Sequence, residues 1–127
     1  MGRTSDTREK LIQAAIQLIW KNSYGSVSVD DICKTADVRK GSFYHYFKSK
    51  VDLAVAAMED YYQASEADFD RMFSPSKTPV ERFKSLIEAI ITKQEDMQEK
   101  YGQVLGCPFM CIGSEMAGQE ESIRDKA

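Results

Sequence analysis

The chain's single histidine lies in a short run that mixes cations, hydroxyls and aromatics: Arg39-Lys40-Gly41-Ser42-Phe43-Tyr44-His45-Tyr46-Phe47. Arg39 and Lys40 carry donors that suit base edges, with Ser42 a smaller polar candidate beside them. Tyr44 and His45 offer hydroxyl and imidazole donors suited to phosphate oxygens. Gly41 has no side chain, which lets the backbone come close to a phosphate or base. Lys48 and Lys50 follow within a few residues, and Ser28 stands upstream. This chemistry is recognition of a polyanion, not bond making. The competing reading is that the aromatics are simply core. A short helix cannot turn Phe43, Tyr44, Tyr46 and Phe47 inward together, so some of them must face solvent or a ligand. Phe43 and Phe47, four apart, are the inward pair.

Such a helix needs support, and the flanking sequence supplies it. Leu11, Ile12, Ala15, Ile16 and Ile19 recur at helical spacing in a first helix. That helix is predicted to start near Asp6, with Glu9 as its capping-box partner. Gly25 is placed in the turn after it, suited to left-handed backbone. Ser28 caps a second helix with Asp31 at the third position, and Ile32 and Cys33 point inward. Asp37-Val38 forms a turn before the short helix that ends near Tyr46. Ser49, with Asp52, starts a long fourth helix that turns Leu53, Ala57, Met58, Tyr61 and Tyr62 inward. Thr78-Pro79-Val80-Glu81 is a strong start for a fifth helix, whose apolar stripe is Phe83, Leu86, Ile87, Ile90 and Ile91. A sixth helix begins near Pro108, and a seventh begins after Gly118. The fold class is therefore all-α, with three helices in an N-terminal helix-turn-helix domain. No strand pattern, repeat or low-complexity stretch is visible.

The stretch Ser28 to Leu53 resembles the signature of the TetR family of bacterial one-component transcriptional regulators. The matching residues are Ser28, Ile32, Ala36, Val38, Gly41, Phe43, Tyr44, Tyr46, Phe47, Ser49, Lys50 and Leu53. Thr7-Arg8-Glu9-Lys10-Leu11-Ile12 also resembles the family's first helix. The resemblance implies that Ser28, Lys40, Gly41, Tyr44, His45 and Lys50 line duplex DNA. Tyr44, His45 and Lys50 then fall mainly on phosphates, and Lys40, Arg39 and Ser42 on bases. Two positions depart from the pattern. Asp37 stands for the usual turn glycine, and aspartate tolerates left-handed geometry better than most residues. Arg39 stands for a small hydroxyl residue, which removes a cap and bears on which DNA is read.

By the same resemblance, residues 1–50 form the DNA-binding domain. Residues 51–127 form the N-terminal part of a helical ligand-binding and dimerisation domain, in a family whose members are longer. The implied function is a ligand-responsive repressor that binds a palindromic operator as a homodimer and is released by a small-molecule inducer. Gly106-Cys107-Pro108 resembles the start of the sixth helix in a subset of the family. A helix N-terminus favours a thiolate, which makes Cys107 a candidate sensor for a thiol-reactive inducer. The stronger reading of Cys107 is a buried structural cysteine. Cys107 and Cys111 lack further ligands, so no metal is expected, and no cofactor either.

Composition agrees with this class. Residues 1–50 carry nine Lys/Arg against five Asp/Glu, a basic head in a chain whose net charge is −3. A local excess of this kind attracts phosphate while the whole stays soluble. No apolar run approaches the roughly 18 residues of a membrane span, and no secretory signal opens the chain, so a cytoplasmic protein is expected. Three cysteines without such a signal are read as reduced thiols. An enzyme is disfavoured: there is no phosphate-cradling glycine loop, no His-Glu-x-x-His and no Gly-x-Ser-x-Gly. The alternative is a helical protein-interaction module without specific DNA binding.

Overall fold

The computed structural model describes residues 2–126, and every regular element among them is helical. The order is α1 (Gly2–Lys21), a 3-10 turn (Tyr24–Ser26), α2 (Val29–Ala36), α3 (Lys40–Tyr46), α4 (Lys50–Met72), α5 (Pro79–Tyr101), α6 (Pro108–Met116) and α7 (Glu121–Lys126). No helix among the described residues is long and apolar enough to cross a membrane. Two compact units result. One comprises residues 1–60 with 106–127, and the other residues 61–105.

The first unit is built around one apolar core. α1 contributes Leu11, Ile12, Ala15 and Ile19, α2 contributes Ile32 and Cys33, and α3 contributes Phe43. Phe47 follows α3, and α4 adds Leu53, Ala54, Ala57 and Met58. Ile112 of α6 and Ile123 of α7 join the same cluster. These two late helices therefore seal a core whose other members come from the first 58 residues. Arg8 of α1 is tied to Asp60 of α4 through two hydrogen bonds, 2.8 and 3.3 Å, and its guanidinium lies over the Phe47 ring. Lys126 pairs with Glu59.

Some local expectations change. α1 runs from Gly2 instead of starting at Asp6. Asp6 instead pairs with Lys10 one turn on, at 2.7 Å, and Glu9 accepts from Gln13. Both side chains thus stabilise the helix interior, as residues four apart do. Gly25 does not adopt left-handed backbone; among the described glycines only Gly102 has positive φ. What marks position 25 is a close approach: a Cβ there would meet Glu115 Oε1, the end of a flexible side chain, at 3.0 Å.

In the second unit, Thr78 and Glu81 make the expected reciprocal cap of α5. Thr78 Oγ1 accepts from the Glu81 amide, and the Glu81 carboxylate accepts from the Thr78 amide. Those bonds hold the Glu81 carboxyl below its ordinary range. Lys93 donates to the Tyr61 hydroxyl at 2.6 Å, and Lys77 to Ser85. Between the second half of α4 and α5 lies an open groove of about 650 Å³, lined among others by Tyr61, Phe69, Leu86, Ile90 and Lys93. The α5 stripe does not become core. Phe83, Ile87, Ile90 and Ile91 each remain more than half exposed, and so does Tyr62 of α4. Of the stripe, Leu86 and Ile90 line the groove towards α4, and Phe83, Ile87 and Ile91 do not.

Candidate nucleic-acid interface

The interface is assembled from α2, the turn after it and α3. Ser28 starts α2 as the pattern requires. Its hydroxyl accepts from the Asp31 amide at 3.0 Å, and its own amide and hydroxyl donate to the Asp31 carboxylate at 2.9 and 2.7 Å. These bonds from Ser28 hold Asp31 below the usual carboxylate range. α2 stops because Asp37 takes left-handed backbone, φ 53° and ψ 49°. That conformation lets the Val38 amide reach back to the Cys33 carbonyl at 2.9 Å, closing the helix end. The chain then turns at extended Arg39, which caps α3 without a side-chain hydrogen bond.

α3 has two distinct faces. Phe43 is fully buried, and its ring lies 5.8 Å from that of Phe47. Tyr44 meets the edge of Phe43 yet is 52% exposed. His45 is exposed and stacks edge-on with half-buried Tyr46. The four-aromatic problem is thus resolved by sending two rings in and leaving Tyr44 out. Arg39, Lys40, Gly41 and Lys48 are exposed, as is Ser28, while Ser42 is half-buried. A Cβ on Gly41 would meet nothing within 4 Å, so the surface above it is open to another molecule.

Two of the expected cations are already engaged. Lys40 pairs with Asp30 of α2 at 2.9 Å, and this contact raises its pKa. Lys50 points back into the unit. Its ammonium donates to the carbonyls of Tyr24 and Val27, both at 2.9 Å, and sits 4.2 Å from the Tyr24 ring centre. Burial pushes the Lys50 pKa down, with Glu115 opposing the shift. Cys107 is half-buried at the start of α6, Cys111 is exposed and Cys33 is buried. All three are free thiols. Among the described residues no group of three or more His, Cys, Asp or Glu is placed to hold a metal ion.

Sequence reasoning passed over Asp30, the close approach at Gly25 and Glu115. Asp30 and Lys40 lie on different helices, so no local spacing rule links them. Glu115 reaches the turn at Tyr24 and Gly25 across 90 residues, with nothing in its neighbourhood to mark it.

Residues 11–57 match the profile described as "Bacterial regulatory proteins, tetR family". Residues 11–57 are thus a TetR-family N-terminal region. The chain is 33% identical over 118 residues to the transcriptional regulator AcuR of Cereibacter sphaeroides, covering 91% of the chain and 52% of that relative. It is 29% identical over 119 residues to the transcriptional repressor NemR of Escherichia coli, covering 94% of the chain and 58% of NemR. Among solved structures, the reduced form of E. coli NemR superposes with a TM-score of 0.71 at 26% identity, over 95% of this chain and 61% of that one. A regulatory protein TetR from Rhodobacter sphaeroides gives 0.70 at 32% identity, over 93% and 63%. The chain thus spans between half and two thirds of the length of these relatives.

Proposed function

We propose that this chain is a DNA-binding transcriptional regulator, a repressor in which α3 enters the major groove of an operator. The carrying observation is the division of α3 into a buried apolar face and an open polar one. Phe43 and Phe47 lock the helix to the core, while Arg39, Lys40, Gly41, Tyr44 and His45 are presented outward. A groove about 12 Å wide admits one helix and offers base edges to its N-terminal residues. In this reading Arg39, Lys40 and Ser42 address bases. Ser28, Tyr44, His45 and Lys48 address phosphates, and Gly41 permits the approach. Lys50 completes the interface through whatever donor capacity its two carbonyl bonds leave. The names of the relatives, transcriptional regulators and repressors, favour the same assignment.

The finer parts of the proposal are a homodimer, a palindromic operator and release by a small-molecule inducer. Cys107 at the start of α6 is the candidate sensor for a thiol-reactive inducer, against the simpler role of a packing residue. Selection of duplexes from a random pool tests the central claim. Enrichment of two half-sites spaced by about 34–36 Å, one helical turn, supports a dimeric reader. No enrichment at low salt refutes DNA reading. Alkylation of Cys107 that leaves DNA affinity unaltered refutes the sensor role.

A further inference from the structure

The turn between α1 and α2 is held from two sides by side chains distant in sequence. On one side, Glu115 of α6 accepts from two consecutive backbone amides. Its Oε2 takes the Tyr24 amide and its Oε1 the Gly25 amide, each at 3.0 Å. Adjacent backbone N–H groups pointing to one spot form a concavity suited to an anion. On the other side, Lys50 of α4 donates to the carbonyls of Tyr24 and Val27. The turn's donors thus meet a carboxylate and its acceptors meet an ammonium. Val27 leads directly into Ser28, the cap of α2. A Cβ at position 25 would sit 3.0 Å from the carboxylate oxygen, so a side chain there presses on this contact. α6 is itself anchored in the core by Ile112, one turn before Glu115.

We propose that Glu115 is a positioning residue of the reading unit. Its carboxylate fixes the 24–26 turn and with it the start of α2, so the orientation of α3, and hence DNA affinity, follows the placement of α6. The last clause rests on the DNA-binding reading; the positioning itself does not.

The test uses the full chain and the variants Glu115→Gln and Gly25→Ala. Glutamine removes the charge and turns one acceptor into a donor, so at most one of the two bonds survives. Alanine at 25 crowds the carboxylate from the other partner, displacing its oxygen by a few tenths of an ångström. Amide exchange at Tyr24 and Gly25 is expected to accelerate about tenfold in Glu115→Gln, as for loss of a charge-assisted hydrogen bond, and by less in Gly25→Ala. Amide resonances of α3 are expected to shift. Affinity for the selected duplex is expected to fall about tenfold with an unchanged salt slope, because no phosphate contact is removed. The double variant is expected to lose no more than the weaker-binding single variant. Unaltered exchange at Tyr24 and Gly25 overturns the proposal. So does faster exchange with unshifted α3 resonances and wild-type affinity, which would make Glu115 a simple tie. If the wild-type chain binds no duplex, the functional reading fails and the α3 resonances alone decide this one. If Glu115→Gln does not fold, Gly25→Ala carries the same comparison.

Discussion

Replacing Asp37 asks whether the helix-turn-helix tolerates its unusual turn residue for the reason given. Asp37 holds φ 53° and ψ 49°, the one non-glycine residue with positive φ among those described. Left-handed backbone costs an L-residue about 1–2 kcal/mol, and aspartate sits at the low end because its short polar side chain tolerates this region. Asp37→Gly removes that strain, but glycine loses about 0.5–1 kcal/mol more entropy on folding, so the two effects nearly cancel. Asp37→Ala keeps a Cβ without the polar compensation and is expected to cost about 1 kcal/mol. Asp37→Val adds β-branching, an outlier at positive φ, and is expected to cost about 2 kcal/mol or more. The expected order of stability is therefore glycine equal to aspartate, then alanine, then valine. Urea unfolding measures it, with the midpoint shifting at constant m. A penalty of about 1 kcal/mol corresponds to roughly 4–8 °C in melting temperature for a unit of this size. A valine variant as stable as wild type, or a glycine variant well below alanine, refutes the strain argument.

Further outcomes are expected. Phe43→Ala empties a fully buried site and should destabilise the first unit by about 3–5 kcal/mol in the same unfolding assay. Lys48→Ala should reduce the salt slope of DNA binding by about 0.9, one phosphate contact. Lys50→Met should lower the melting temperature as well as DNA affinity, since it strips the donor from two carbonyls of the first unit. Burial, helped by Glu120 and Glu115, pushes the Tyr24 phenol up to about 12. Because the folded state keeps a proton that the unfolded state releases near pH 10, stability is intact below that pH. It falls as pH rises from about 10 towards 12. A Tyr24→Phe variant should lose less stability over that window, and phenolate absorbance should show Tyr24 titrating late.

The helix-turn-helix is legible in the sequence because its determinants are local. Ser28 and Asp31 are three apart, Phe43 and Phe47 four apart, and the Asp37 turn lies between two short apolar patterns. The reciprocal cap at Thr78 and Glu81 is legible for the same reason. Periodicity identified the α5 stripe as apolar, but a stripe says nothing of what covers it, and in this chain Phe83 and Ile87 stay exposed. Pairings between distant segments were not legible. Arg8 with Asp60, Lys50 with the Tyr24 carbonyl and Glu115 with the Gly25 amide depend on tertiary approach. Any of these side chains taken alone reads as a solvated charge.

The core of the first unit also has a bearing on how the chain acquires its structure. Ile112 and Ile123 complete a cluster begun by Leu11, and residues 61–105 intervene between the two contributions. A ribosome releasing about 5–20 residues per second exposes the first three helices seconds before their last core partners exist. Until those partners are made, part of the early helices' apolar surface has nothing to cover it, and closing the core joins segments separated by the helical residues 61–105. The core of the first unit is thereby complete only once α6 and α7 are present.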